Sequence, residues 1–179
     1  VSVWIALLRG VNVGGANKMP MADFRALLSA QGFGDVATYI QSGNAVFLAD
    51  GTPDALSGII RDGIAARFGF RPDVIVLPLD ALDGALAANP FPEADDAPSQ
   101  LHLFFLGRPD TLDTAPLQGA ATAGERLAQR GAVLYLHTPN GFGRSKLAEK
   151  LARHFSGVPM TGRNLRSCRK IAELARGIG

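Results

Sequence analysis

The stretch Val36-Ala37-Thr38-Tyr39-Ile40-Gln41-Ser42-Gly43-Asn44-Ala45-Val46-Phe47-Leu48-Ala49 decides how the chain is read. Two runs rich in β-branched and aromatic residues, 36 to 41 and 44 to 49, flank the pair Ser42-Gly43. A two-residue polar loop containing glycine between such runs predicts a β-hairpin. Upstream, Val3 to Leu8 is apolar at every position. A strand whose alternating faces (Val3, Ile5, Leu7 and Trp4, Ala6, Leu8) are both apolar is buried on both sides, which makes it central in its sheet. Between it and the hairpin, Pro20 supplies a first-turn proline. Met21, Phe24, Leu27 and Leu28 then recur at helical spacing until Gly32. Downstream, Thr52 caps a second helix with Pro53 at its first position, Leu56, Ile60, Ile64 and Phe68 form its apolar stripe, and Gly69 stops it before a strand at Val74 to Leu77. The order is βαββαβ, the ferredoxin-like pattern of two interleaved βαβ units.

A short helix at Ala81 to Ala88 leads to Asn89-Pro90-Phe91. The acidic stretch 92–100, with Glu93, Asp95 and Asp96, has linker composition. The expected layout is therefore a ferredoxin-like half at 1–91, an acidic linker at 92–100 and a second α+β half at 101–179. In the second half, Leu101 to Leu106 reads as a strand, 111–121 as a weak helix, and Glu125 to Arg130 with Val133 to His137 as a hairpin around Gly131. Two basic helices finish it, making the second half a variant of the first. In the earlier of these, Leu147, Leu151 and Phe155 form one stripe. In the last, Leu165, Cys168, Ile171, Ala172, Ala175 and Ile178 fill one half of the wheel, while Arg163, Arg166, Arg169, Lys170 and Arg176 fill the other. Cys168 is thereby a core thiol.

With 179 residues and a single cysteine, the chain is long enough to bury a core without disulfides or metal. The lone thiol suits a reducing cytosol, and the apolar run at residues 3–8 is too short to span a bilayer and lacks the flanks of a secretion signal. A cytoplasmic protein without a membrane span is expected. The net charge of +2 hides a segregation: residues 50–100 carry three basic and nine acidic side chains, whereas residues 141–179 carry nine basic and two acidic. Such asymmetry fits either an acidic partner, nucleic acid included, or two segments that face each other.

Chemistry concentrates in two polar, glycine-rich places. In the interleaved topology the loop after the first strand and the hairpin tip emerge at the same end of the sheet. That brings Asn12, Gly14, Gly15, Asn17 and Lys18 toward Gln41, Ser42, Gly43 and Asn44, with a helix N-terminus aimed at the corner. A phosphate or carboxylate suits such a corner; equally, Gly and Asn there serve tight turns with no ligand. The second place is Gly141-Phe142-Gly143-Arg144-Ser145-Lys146, running from a strand into a helix, a layout that exposes backbone donors to anions. It lacks the spacing and the Gly-Lys-Ser/Thr order of a nucleotide-hydrolysing P-loop. Thr161-Gly162-Arg163-Asn164 reads as the start of the last helix with Thr161 as N-cap, and Arg163 beside a helix N-terminus makes sense if an anion or carboxylate sits between. His102, His137 and His154 show no metal spacing. Neither a cofactor motif nor a nucleophile elbow is present, and Ser145 beside Lys146 on a helix points about 100° away from it. Ser42 to Leu48 matches the RNA-recognition signature poorly.

Five segments carry a family likeness: residues 6–15 (Ala-Leu-Leu-Arg-Gly-Val-Asn-Val-Gly-Gly) with Asn17-Lys18, residues 38–47 (Thr-Tyr-Ile-Gln-Ser-Gly-Asn-Ala-Val-Phe), Asn89-Pro90-Phe91, Arg144-Ser145-Lys146-Leu147 and Thr161-Gly162-Arg163-Asn164. Through them the chain resembles, over nearly its full length, the bacterial Domain of Unknown Function 1697 family. The resemblance implies a cytoplasmic protein of two ferredoxin-like halves and supplies no activity. It carries over motif residues at Asn12, Lys18, Gln41, Asn44, Arg144, Lys146, Arg163 and Asn164. The chain departs from the family at Leu165, where a tryptophan is usual, and at Ser167-Cys168, where Thr-Val is usual.

Three functions remain in play. The first is a binding module for an anionic, phosphate-bearing ligand, using Asn12, Gly14, Gly15, Lys18, Gln41, Ser42, Asn44, Arg144, Lys146, Arg163 and Asn164. The second is an enzyme acting on a small phosphorylated or carboxylated substrate, and the third is an interaction protein with a basic tail. No catalytic residue and no metal site is named for any of them, and no cofactor is expected.

Overall fold

A computed structural model describes all residues Val1–Gly179. The first four strands are β1 (Ser2–Leu8), β2 (Gly34–Thr38), β3 (Asn44–Ala49) and β4 (Val74–Pro78), and the first three helices are α1 (Met21–Ala30), α2 (Pro53–Phe68) and α3 (Leu79–Ala87). Beyond two short 3₁₀ turns at Pro92–Asp96 and Pro98–Gln100 come β5 (Leu101–Leu106), α4 (Ala115–Gln118), β6 (Arg126–Arg130) and β7 (Val133–His137). The chain ends with α5 (Lys146–His154), β8 (Met160–Asn164) and α6 (Leu165–Arg176). Its contacts divide it into two compact units, Val1–Asp83 with Lys170–Gly179, and Gly84–Arg169. The acidic stretch 92–100 forms the two 3₁₀ turns and lies inside the second unit.

The first unit holds a four-stranded antiparallel sheet in the order β2-β3-β1-β4. As its apolar composition requires, β1 is central, paired with β3 on one edge and β4 on the other. Trp4 lies opposite Phe47 and Ala6 opposite Ala45. This face forms a core with Phe24, Leu27 and Leu28 of α1 and Leu56, Ile60 and Ile64 of α2. The Trp4 indole N–H donates to the Ala49 carbonyl at 3.1 Å, so the buried ring leaves no donor unpaired. Helix α2 starts and stops where its sequence dictates: Thr52 Oγ1 accepts from the Ala55 N–H, and Gly69 takes the left-handed conformation at the end.

The second unit carries another four-stranded antiparallel sheet, β6-β7-β5-β8, with β5 central. Leu106, Leu134, Leu136 and Met160 of this sheet pack with Leu117 of α4, Leu147 and Leu151 of α5, and Phe155 at its C-terminal end. Tyr135 is fully buried, and its hydroxyl donates to the Ala85 carbonyl at 2.7 Å. Desolvation pushes this phenol up to about 12, holding it as a donor at neutral pH.

Three local expectations are corrected. The β2–β3 connection is the five-residue loop 39–43 rather than Ser42-Gly43 alone. Strand β2 ends at Thr38 because Ile40 adopts a left-handed φ of 49°, and the loop closes by the Tyr39 N–H donating to the Asn44 carbonyl. Thr161 does not cap the last helix: residues 160–164 form β8, the edge strand beside β5, and the cap is Asn164, whose Oδ1 accepts from the Ser167 N–H at 2.9 Å. Arg163, expected on the exposed face of that helix, is buried because strand alternation turns it inward from β8.

Gly43 tests the hairpin's tie to the central strand. Its φ is +87°, a Cβ there would lie 2.9 Å from Leu8 Cβ, and its carbonyl accepts from the Leu8 N–H. Gly43→Ala is expected to cost ~2–4 kcal/mol from left-handed strain plus overpacking, read as a lower urea midpoint relative to the parent.

Candidate functional site

The polar corner of the first unit forms as the topology requires. Strands β1 and β2 both run antiparallel to β3, so the loop after β1 and the tip after β2 leave the same end of the sheet. Asn12, in a left-handed conformation with φ of 56°, is the joint between them. Its Nδ2 donates to the Met19 carbonyl at 2.9 Å and to the Gln41 carbonyl at 2.8 Å, and its Oδ1 accepts from the Met19 N–H at 2.8 Å. Asn17 Nδ2 donates to the Gly10 carbonyl, while Gly14 and Gly15 hold left-handed φ values of 59° and 77°. Buried Asn44 Nδ2 donates to the Tyr39 carbonyl and to Ser42 Oγ. Gln41 enters through its backbone carbonyl, and its side chain is exposed, as is that of Lys18. The corner's amides and glycines therefore hold two loops in shape, the turn-forming role open to them from the start.

The glycine-rich segment of the second unit is arranged differently. Residues 142–144 form a single 3₁₀ turn that delivers the chain into α5. Ser145 caps that helix, its Oγ accepting from the Ala148 N–H at 3.0 Å. A cleft of about 550 Å³ opens beside this helix start, lined by Phe142, Gly143, Arg144, Ser145 and Lys146 together with Ala148, Glu149 and Ala152. Arg144 is exposed and makes no ion pair. Lys146 projects into solvent, 3.9 Å from Glu149, whose other oxygen is 3.3 Å from Arg153. No hydrogen bond joins Ser145 to Lys146, whose ammonium lies toward Glu149, so the two form no paired dyad.

Behind the cleft, the Phe142 ring stacks on the His102 imidazole with centroids 3.9 Å apart. Burial without a hydrogen-bond partner at Nδ1 lowers the His102 pKa to about 4, so the ring is neutral at pH 7. Nothing in the sequence beyond the isolated histidine marked this contact, because residues 102 and 142 meet only once β5 and the turn are folded.

Arg163 and Asn164 do not line the cleft. Arg163 is 8% exposed, and its guanidinium donates to Thr161 Oγ1 at 2.7 Å and to the Gly162 carbonyl at 2.8 Å; desolvation lowers its pKa to about 10. Cys168 is buried, and its thiol is pushed up to about 12, mainly by desolvation, so it is held as the thiol. The charged tail partly neutralises the acidic segment: Arg169 pairs with Asp95 at 2.8 Å, and Arg176 pairs with Asp83. These ion pairs are exposed and contribute little stability each.

The class is thus a mixed α+β protein of two four-stranded antiparallel sheets, each packed with helices. The chain belongs to the family described as "Protein of unknown function (DUF1697)", whose model matches residues 1–135. The matched segment includes the Asn12–Asn44 corner and ends before the Arg144 cleft. No curated protein matches the chain. Among solved structures, the conserved bacterial protein SP0830 from Streptococcus pneumoniae shares the fold with a TM-score of 0.76 and 24% identity, over 97% of this chain and 98% of that one. No helix is long and apolar enough to cross a membrane.

Two measurements separate scaffold from site. Asn12→Ala removes three hydrogen bonds and an amide that tolerates left-handed backbone; an expected loss of ~2–3 kcal/mol in urea unfolding marks it as structural. His102 makes stability depend on acidity. Its unfolded value is near 6.5 and its folded value about 4, so the unfolded chain binds more protons between those limits. The contribution of His102 is complete above pH 6.5 and is lost as pH falls toward 4. His102→Phe, which keeps the stack, should flatten that part of the stability profile relative to the parent.

Proposed function

We propose that the protein is a cytoplasmic binding module for a phosphate-bearing anion, with Arg144 and Lys146 at the start of α5 as its charged residues. The observation that carries this reading is the cleft: an exposed arginine without an ion pair, a second cation two residues on, and an open glycine between an aromatic ring and the arginine. Arginine presents a planar fork suited to phosphate, and a helix start adds partial positive charge. Of the other candidates, Asn12, Gly14, Gly15, Ser42 and Asn44 are read as scaffold, with Lys18 and Gln41 at the rim of the same corner. Arg163 and Asn164 are read as internal supports of β8 and α6.

Both units are read as ferredoxin-like. Support comes from the shared sheet order, second-third-first-fourth, in βαββαβ segments that end at β4 and at β8. On this reading α5 is the second helix of the second half, and basic α6 is appended to it. The ion pairs of Arg169 and Arg176 with Asp95 and Asp83 favour internal neutralisation over a docking role for the tail.

Thermal unfolding of the parent and of Arg144→Ala, each titrated with phosphate and pyrophosphate, tests the proposal. A ligand that binds only the folded state raises Tm with concentration, by a few degrees near ~100 Kd. The parent should show this rise, and Arg144→Ala, melting at the parental temperature without ligand, should lose it. No rise in the parent with either anion overturns the assignment.

A further inference from the structure

The cleft at the start of α5 holds more than cations. Phe142 is one of five large apolar side chains that remain exposed, at 38%. One face of its ring is covered by His102, with an angle of 24° between the rings, and Phe104 lies behind at 6.4 Å. The ring is therefore fixed in orientation, and its exposure is the opposite face and rim, on the cleft that Arg144 and Lys146 also line. Held rings with one free face are what proteins use to stack planar groups.

Gly143 lies between the ring and the arginine. Gly14, Gly15 and Gly43 have left-handed backbones that call for glycine, and a Cβ at Gly162 would strike the Phe104 ring at 2.6 Å. Gly143 has neither reason: its backbone is not left-handed, and a Cβ there would meet nothing within 4 Å. Gly58, Gly84, Gly119 and Gly157 are equally unconstrained, so Gly143 marks no site by itself; beside the ring and the arginine it leaves the backbone open to close approach by a ligand. The volume of about 550 Å³ falls in the range of small-molecule pockets and exceeds what a bare anion fills. Glu149, flanked by Lys146 and Arg153, adds an acceptor to the lining that suits sugar hydroxyls.

We propose that the cleft takes a nucleoside monophosphate, with its base stacked on the free face of Phe142 and its phosphate held by Arg144 and Lys146. This inference rests on the reading of the cleft as an anion site and adds the class of its ligand. A stacked base contributes on the order of 1–3 kcal/mol, roughly 5- to 150-fold in affinity. Sugar phosphates lack that term.

Calorimetric titration of the full chain with AMP, GMP, CMP, UMP and ribose 5-phosphate separates the two levels. The purine monophosphates are expected to bind at least roughly fivefold more tightly than ribose 5-phosphate. Phe142→Leu should erase that preference while still binding ribose 5-phosphate, and Phe142→Tyr, which keeps the ring, should retain it. Arg144→Ala should weaken all five. Equal affinities in the parent, or a preference unchanged in Phe142→Leu, overturn the stacked base. If ribose 5-phosphate binding is nevertheless lost in Arg144→Ala, the anion site stands without it. Absence of binding by all five probes overturns the nucleotide inference, while the phosphate and pyrophosphate melts decide the anion site separately.

Discussion

The central strands β1 and β5 impose the constraint on which both units depend. A strand paired on both edges can place its backbone groups only in the sheet, and with both faces buried its side chains must be apolar. Residues 4–8 of β1 satisfy this in full, from Trp4 at 8% exposure to Leu8 at 1%. Strand β5 satisfies it less completely: Leu101, Leu103, Phe105 and Leu106 are buried, but His102 and Phe104 on the alternate face remain partly accessible. That difference has a local consequence. In the first unit the helix-facing side of the sheet is packed by α1 and α2, whereas in the second His102 carries the Phe142 ring, from the turn before α5, stacked on its imidazole, with Phe104 beside it.

The polar loops divide by the same criterion. A buried or turn-forming polar group whose hydrogen bonds are met inside the protein already has a reason to exist. Asn12, Asn17 and Asn44 meet that test: Asn17 and Asn44 spend their amides on backbone carbonyls of their own loops, and Asn12 bridges its loop to the Gln41 carbonyl of the hairpin. The Phe142–Lys146 segment does not meet it throughout: Ser145 caps α5, but its arginine makes no ion pair and its aromatic ring is held but only half covered. Chemistry is better sought where structural demand does not account for the residues.

Much of the architecture was legible because its signals are local. The doubly apolar run of β1, the Thr52-Pro53 start and Gly69 stop of α2, and Gly131 with its left-handed φ of 56° in the β6–β7 hairpin each act within a few residues. Strand β8 was hidden because Met160–Asn164 contains a threonine, a glycine, an arginine and an asparagine, a composition that resembles a helix start. Gly162 is there for the Phe104 ring on the neighbouring strand, and Arg163 is buried by alternation, both long-range facts. The loop 39–43 escaped for a related reason: isoleucine in a left-handed conformation is disfavoured locally and is held by bonds between Tyr39 and Asn44. Of the candidate site, the residue types were visible and their duties were not, since the burial of Arg163 and the unpaired state of Arg144 depend on packing and partners.

The strongest sequence motifs thus sit where the backbone is most demanding. In the residues that match the family model, the Asn12 loop and the Asn44 hairpin combine left-handed residues with side-chain amides that replace missing backbone partners, and few other residue types can do both. Such a motif is distinctive whether or not a ligand visits it. The cleft at α5 has weaker sequence character because an exposed arginine, an ordinary glycine and a phenylalanine are each commonplace. Its significance arises only from their placement, with a neutral imidazole behind the ring and the start of a capped helix beside the charge. A fixed scaffold in one unit and an unsatisfied surface in the other follow from the same rule: groups that fold cannot satisfy internally remain available to bind.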